Sequence, residues 1–306
     1  MNTNGKLYNK IINISDWERK PGESPSFLPI AQDPNGKKYL IKSQLPFSRV
    51  NEMIVTKACK KAGFDAVDNE FAYDENSDTK SLITPMMDYG MISIAHYIPY
   101  MDASVLDTLI CKFFNDNPLL NEKFKSRYVD EALLRALFED PDSMFCRNLA
   151  IKANKEDSKD SHNGNVPIIP INELELTSSY DFNNCLARDL ETRGHSHKRE
   201  VATNLKFIKK NYPKNAEQFF ANFSFDNATL DELFDLHGIP LEWLLKHREF
   251  DPNAYGHYSE KRKQLILNGQ LNTAKKTKST IDVLSKSTRQ QFKENLVFMK
   301  DTFAKA

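Results

Sequence analysis

Short apolar runs alternate with polar turns over the first ninety residues, a pattern typical of β-strands. The runs at 26–31 and 38–42 flank Asp33-Pro34-Asn35-Gly36, a strong turn signal, and predict a β-hairpin. Two further runs, at 71–73 and 81–84, are separated by polar residues and predict two more strands. The N-terminal region is therefore expected to form a sheet.

One helix is predicted inside this β-rich region. The apolar residues between 50 and 58 recur at helical spacing. Ser48 is suited to cap the start of the helix, and Gly63 is suited to end it.

The apolar period becomes helical from about residue 92. Helices are predicted around 106–114 and 128–138, and again over most of 199–268. Between these helical regions, 148–151 reads as a short strand with 166–170 as its hairpin partner, and 273–280 reads as a linker. Strands first and helices afterwards predict an α+β fold.

Composition and charge exclude several classes of protein. The 306 residues are 40% hydrophobic and 27% charged, so the chain can build a core. Lys and Arg together number 42, as do Asp and Glu, and this balance argues against a dedicated nucleic-acid binder. We expect no membrane span, because no run of about 18 apolar residues occurs. Four scattered cysteines without CxxC, and a polar N-terminus, predict a cytoplasmic protein with reduced thiols.

Two features could carry chemistry in the N-terminal region. Lys42 ends a predicted strand, and Glu52 lies on the helix that follows. A lysine fixed by a helical carboxylate is one way to hold an ammonium group against nucleotide phosphates. The alternative is that both residues are ordinary surface charges.

Three further polar residues follow in an informative order. Asp142 lies in an Asp-Pro-Asp turn, Asn148 comes six residues later, and Asp181 ends a predicted strand. Phosphoryl transfer needs a carboxylate to orient the attacking hydroxyl and oxygen ligands for Mg²⁺. The alternative interpretation is an ordinary turn with a helix-capping aspartate. Asp140 ranks second to Asp142 as the base, because Asp142 lies closer to Asn148 in the sequence.

In this order the residues resemble the HipA-type serine/threonine kinases, and most of all their compact proinflammatory-kinase (CtkA-like) branch. Tyr39-Leu40-Ile41-Lys42 resembles the family's strand that ends in lysine, and 51–55 resembles the helix that follows. The segments 141–148 and 180–186 resemble the catalytic and metal-binding segments. The resemblance covers roughly residues 20–268.

The resemblance implies a two-lobed protein-kinase-like α+β fold. It implies a β-rich N-lobe at 1–88, a helical C-lobe at 89–270, and a basic linker and helix at 271–306. The implied activity is transfer of the γ-phosphoryl group of ATP, with Mg²⁺, to a Ser or Thr of a protein substrate.

The resemblance also implies a role for each candidate residue. Lys42 would contact the nucleotide phosphates and Glu52 would orient it. The hinge at 84–89 would lie beside adenine, with the backbone of Met86, Met87 and Asp88 as its partners. The roles implied for the later segments are a catalytic base, Asp142, and two Mg²⁺ ligands, Asn148 and Asp181.

Departures from the family pattern keep other functions open. The Asp142-to-Asn148 spacing is one residue longer than in the family, Ser143-Met144 replaces Arg-His, and the phosphate loop at 21–24 has a single glycine. The alternatives are a pseudokinase or ATP-binding interaction module, and a helical interaction protein. A lipid substrate also stays open, because phosphoinositide kinases share the order of Asp, Asn and Asp.

Two residue groups between the predicted C-lobe helices have weaker functional interpretations. His195 and His197 form an HxH pair, which we expect to lie in a basic loop because no other metal ligands accompany it. Ser178, Ser179 and Ser196 are candidate phosphorylation targets in a kinase reading.

Overall fold

A computed structural model describes residues 8, 10–20, 28–42, 46–77, 79–94, 110–138, 149–154, 168–179, 194–236 and 274–306. The described residues of Met1–Met86 and Phe225–Lys293 form one compact unit, called here the sheet unit. Those of Met87–Asp181, Arg193–Ser224 and Glu294–Ala306 form a second, called here the helical unit. The division at 88 and 270 expected from the sequence stays a prediction.

The sheet unit contains a six-stranded sheet in the order β1-β5-β6-β4-β3-β2. Its strand β1 runs parallel to β5, and the other neighbours are antiparallel. The strands are β1 (Ile11–Asn13), β2 (Glu18–Lys20), β3 (Ile30–Gln32), β4 (Lys38–Lys42), β5 (Glu70–Asp74) and β6 (Thr79–Pro85). The predicted hairpin is confirmed as β3 and β4, and the predicted strands at 71–73 and 81–84 are confirmed as β5 and β6.

The turn between β3 and β4 is formed by local chemistry. The side chain of Asp33 accepts from the backbone N–H groups of Asn35 and Lys37, at 2.9 and 2.8 Å. Gly36 has φ 84°, a conformation that residues with a Cβ rarely adopt. The Asp-Pro-Asn-Gly signal is strong because these contacts are made within the turn itself.

Helix α1 (Pro46–Lys61) follows β4 and ends before Gly63, whose φ is 77°. The predicted stop is confirmed, because a glycine can take the left-handed conformation that closes a helix. The predicted start is wrong by three residues: a cap at Ser48 would start the helix at residue 49, whereas it begins at Pro46 and Ser48 lies inside it. Proline suits the first helical turn, where no N–H partner is needed.

One face of the sheet carries a hydrophobic cluster. The cluster is formed by small and branched residues of five segments: Ile14, Ala31, Ile41, Ala72 and Ile83. Successive side chains of a strand point to opposite faces. Lys42 therefore points away from the hydrophobic cluster that contains Ile41, and its side chain reaches Glu52 on α1.

The described helices that follow are α2 (Ile110–Asp116), α3 (Glu122–Leu137), α4 (Gly194–Asn211), α5 (Pro213–Asn222), α6 (Asn227–Phe234) and α7 (Ala274–Lys305). In the helical unit, aromatic rings join α2 to α3, α4 and the residue before α5: Phe114 packs on Tyr128, Phe207 and Tyr212. The helices predicted at 241–247 and 255–267 lie outside the described residues.

Two strands of the helical unit correct the sequence prediction. β7 (Gly90–Ser93) is a strand although Ile92 was expected to open the helical region. β8 (Ala150–Ala153) pairs antiparallel with β7, and Ile151 also forms an isolated bridge with Leu176. The strand expected at 166–170, as the hairpin partner of 148–151, is wrong: residues 168–170, the part of it that the structure describes, form no strand. Pairing across about sixty residues leaves no local sequence signal.

Two segments expected to be irregular are helical. His195 and His197 lie within α4, not in a loop. Residues 274–280 begin α7, where a linker was expected. Lysine is a good helix former, so a polar, lysine-rich stretch without Gly or Pro continues a helix readily.

The predicted α+β class is confirmed: a β-rich N-terminal region precedes a mainly helical remainder. Within the described parts of the chain, no helix is both long and apolar enough to cross a membrane.

Candidate functional site

Lys42 and Glu52 form a buried ion pair in the sheet unit. Lys42 Nζ donates to Glu52 Oε1 at 2.6 Å, and the two residues are 7% and 0% exposed. The fold places them together because β4 ends at Lys42 and α1 brings Glu52 back over the same face of the sheet. The contact expected from the sequence is therefore present, and the surface-charge alternative does not hold for this pair.

Two more buried polar side chains extend this pair. Asn69 Nδ2 donates to Glu52 Oε1 at 3.3 Å, and Thr84 Oγ1 donates to Asn69 Oδ1 at 2.6 Å. Asn69 and Thr84 are both buried. Sequence reasoning missed Asn69, because only the pairing of β5 with β6 and the position of α1 bring it to Thr84 and Glu52.

The hinge predicted at 84–89 starts at the end of β6. Met86 N–H donates to the carbonyl of Lys38 at 2.9 Å, which continues the pairing of β6 with β4. Met86 and Met87 are half-buried, and Asp88 is exposed. The Met86 N–H is thus already used, so the adenine contacts expected here fall to the Met86 carbonyl and to the backbone groups of Met87 and Asp88.

The predicted base and metal ligands lie outside the described residues. This applies to Asp142, Asn148 and Asp181, to the second-ranked base Asp140, and to the phosphate loop at 21–24. Where the structure does describe side chains, no group of three or more His, Cys, Asp or Glu is arranged to hold a metal ion. The roles of these residues stay predictions.

The described segments that follow Asn148 and precede Asp181 in the sequence pair with each other. Thr177 N–H donates to the carbonyl of Ala150 at 2.9 Å, next to the antiparallel bridge of Ile151 with Leu176. In an antiparallel pair, the chain before one strand and the chain after the other leave at the same end.

Side chains fix the segment that leads toward Asp181. Ser178 Oγ lies 3.1 Å from the hydroxyl of Tyr89, and Ser178 N–H donates to that hydroxyl at 3.2 Å. Ser179 Oγ donates to Glu131 Oε2 and accepts from Arg127 Nη2 at 2.6 Å. Ser179 is 2% exposed, so its hydroxyl is not available as the phosphorylation target that the sequence suggested.

Two arginines of α3 hold the Glu131 carboxylate, which accepts from Ser179. Its Oε1 accepts from Arg135 Nε at 2.8 Å, and its Oε2 lies 3.3 Å from Arg127 Nη1. Burial by itself would raise the pKa of Glu131. The charges of Arg135 and Arg127 and the hydrogen bonds from Ser179 and Arg135 outweigh burial, so the pKa lies below its usual value.

Comparison with known proteins shows distant structural likenesses. The chain is similar to a proinflammatory kinase, CtkA, of Helicobacter pylori, with 11% identity, a TM-score of 0.45, and 95% of this chain and 99% of that chain covered. It is similar to a chain of the HipA, HipB and operator DNA toxin–antitoxin complex of Shewanella oneidensis MR-1, with 12% identity and a TM-score of 0.44. That match covers 88% of this chain and 60% of the other.

A third likeness is to an aminoglycoside phosphotransferase of Alicyclobacillus acidocaldarius, with 12% identity, a TM-score of 0.21, and 92% and 94% of the two chains covered. No protein-family model matches the sequence, and no curated protein matches it. With identities of 11–12% and TM-scores below 0.5, these likenesses do not assign an activity.

Proposed function

We propose that this chain is an ATP-dependent kinase that transfers the γ-phosphoryl group to a Ser or Thr hydroxyl of a protein. Lys42 contacts the nucleotide phosphates and Glu52 orients it. Backbone groups of Met86 to Asp88 contact adenine. In the helical unit, Asp142 accepts the proton of the attacking hydroxyl, and Asn148 and Asp181 hold Mg²⁺.

The buried Lys42–Glu52 pair carries the proposal. A buried ion pair contributes little net stability, because the cost of taking two charges out of water offsets their attraction. Its presence is better explained by a further ligand of the lysine. A carboxylate that fixes an ammonium group in a low-dielectric site prepares it for a polyanion such as a nucleotide triphosphate.

The residues assigned to the metal fit Mg²⁺ in their chemistry. A carboxylate and an amide oxygen are hard oxygen ligands, and Mg²⁺ takes only one or two protein carboxylates when it also binds phosphates. The Ala150–Thr177 pairing supports the assignment, since the chain leaves it at one end toward both Asn148 and Asp181. When bound, Mg²⁺ neutralises charge that develops on the transferring phosphoryl group.

The remaining steps belong to residues of this chain. Asp142 accepts a hydrogen bond from the incoming hydroxyl and takes its proton as the oxygen–phosphorus bond forms. The bond between the γ-phosphorus and the bridging oxygen breaks, and ADP leaves with the electron pair. Lys42 stabilises the negative charge on the phosphates throughout.

The binding test of this proposal compares ATP with adenosine. Lys42→Met should weaken ATP binding by about 10- to 100-fold, the worth of a charge-assisted phosphate contact, while adenosine affinity stays unchanged. Isothermal titration calorimetry measures both dissociation constants. Lys57→Met is the matched control on α1, because Lys57 pairs instead with Asp68 and Glu70 at 3.2 Å each.

A second variant separates binding from folding. Lys42→Met leaves the Glu52 carboxylate buried without its cation, so the melting temperature is recorded as well. The double variant Lys42→Met/Glu52→Gln removes that charge and should regain stability without regaining ATP affinity. Equal ATP affinity in the wild type and the folded double variant would remove Lys42 from the site.

A further inference from the structure

We infer that Asn69 and Thr84 are positioning residues for the phosphate-binding lysine, an inference that rests on the proposed function. Four buried side chains form one hydrogen-bonded series from Lys42 through Glu52 and Asn69 to Thr84. The series links the lysine to the strand that leads into the predicted hinge.

The fold brings the two ends of the series to one face of the sheet. In the antiparallel register of β4 and β6, Lys42 lies opposite Leu82 and Leu40 lies opposite Thr84. Residues directly opposite each other, and residues two apart on a strand, share a face. Lys42 and Thr84 therefore share the face on which α1 carries Glu52.

Glu52 is held through a single oxygen. Both Lys42 and Asn69 donate to its Oε1, whereas Oε2 is buried and has no hydrogen-bond partner among the described residues. Apart from Lys42, the hydrogen-bond donor to this carboxylate among the described residues is Asn69. Without it, the carboxylate could rotate and carry the ammonium group with it.

Thr84 holds the Asn69 amide in the orientation that the Glu52 carboxylate requires. The hydroxyl donates to Oδ1, and the amide nitrogen donates to the carboxylate, which can only accept. The reverse orientation would set the amide oxygen against the carboxylate, which is repulsive. A hydroxyl at position 84 therefore sets the direction of Lys42 through two intermediate side chains and without touching the nucleotide phosphates.

The test measures Mg²⁺–ATP and adenosine affinity by calorimetry in Thr84→Val, which removes the hydroxyl and keeps the shape. We expect ATP affinity to fall by about two- to tenfold, the worth of one hydrogen bond, with adenosine affinity unchanged. Thr84→Ser should restore the wild-type ratio. Asn69→Asp, which places a second carboxylate beside Glu52, should lower ATP affinity further, again without changing adenosine affinity.

Two comparisons make the result specific. Thr56→Val is the matched control, since Thr56 is equally buried on α1 but its hydroxyl donates only to the backbone carbonyls of Glu52 and Met53. In a Lys42→Met background, Thr84→Val should have no further effect on ATP affinity, because the residue acts only through the lysine.

The possible outcomes separate the inference from the proposed function. A parallel loss of ATP and adenosine affinity in Thr84→Val, an unchanged ratio, or additivity with Lys42→Met would overturn the inference alone, provided that the wild type binds ATP through Lys42. A wild type that binds neither ligand would overturn the proposed function, and the inference with it.

Discussion

At the scale of single residues, Glu131 shows how a buried carboxylate can fix a neighbouring segment. It accepts from Arg135 on its own helix and from Ser179 on the segment that leads toward Asp181. Two charged partners keep its pKa below the usual value despite burial. This shift makes its contribution to stability depend on pH.

We predict that the free energy of unfolding decreases as the pH falls below about 4.5, the pKa of an unperturbed glutamate. In this range the unfolded chain binds a proton that the folded Glu131 does not, so acid favours unfolding. Glu131→Gln should be less stable at neutral pH by about 3–5 kcal/mol, because it leaves buried arginines without their carboxylate. Its stability should also change less steeply with pH.

Urea denaturation at several pH values between about 7 and 3 measures both effects. Glu122→Gln is the control, since Glu122 is an exposed glutamate at the start of the same helix. The stability of Glu122→Gln should stay within about 0.5 kcal/mol of the wild type at neutral pH. A Glu131→Gln curve that runs parallel to that of the wild type would show that folding does not change the pKa of Glu131.

Sequence reasoning recognised some side chains of the candidate site and missed others. Lys42 and Glu52 are ten positions apart on consecutive elements, so their pairing follows from a strand and a helix alone. Asn69 and Thr84 carry no such signal, because their contact depends on strand pairing and on the return of α1. The roles of Asp142, Asn148 and Asp181 come from motif resemblance and stay predictions.

At the scale of elements, local signals predicted well and nonlocal pairing did not. The β3–β4 turn and the end of α1 depend on residues within a few positions of each other. The β7–β8 pair joins segments about sixty residues apart. The hairpin expected between 148–151 and 166–170 relied on their closeness in the sequence and is wrong, because β8 pairs with β7 instead. The linker expected at 273–280 failed because polarity alone does not stop a helix.

Helix α7 buries some of its apolar side chains and exposes others. Phe292 is 1% exposed and packs on Phe225 and Phe234, with ring centroids 6.1 and 5.4 Å away. Val297, on the same helix, is 57% exposed. The helix is therefore part of the core, and its basic side chains do not make it an independent tail.

We predict that Phe292→Ala lowers the free energy of unfolding by about 3–5 kcal/mol, because it removes a buried aromatic ring and leaves a cavity. Val297→Ala on the same helix should change it by about 0.5 kcal/mol or less. Urea denaturation of both variants checks the difference. Similar small losses in the two variants would mean that α7 is not packed as the structure shows.

At the scale of the whole molecule, the proposed activity draws on both compact units. The sheet unit supplies the buried Lys42–Glu52 pair, and the helical unit supplies the segments that lead to Asn148 and Asp181. Nucleotide binding and phosphoryl transfer are separable properties of such a chain. A nucleotide-binding module would keep the first property and lack the second.

The most direct test of the central claim is therefore phosphoryl transfer itself. The full chain is incubated with Mg²⁺ and γ-labelled ATP, alone and with a mixture of Ser- and Thr-containing peptides, and the label is located by mass spectrometry. The account predicts label on a Ser or Thr that requires Mg²⁺, disappears in Asp142→Ala while ATP still binds, and persists in Asp140→Ala. Lys42-dependent ATP binding without any transferred label would contradict it.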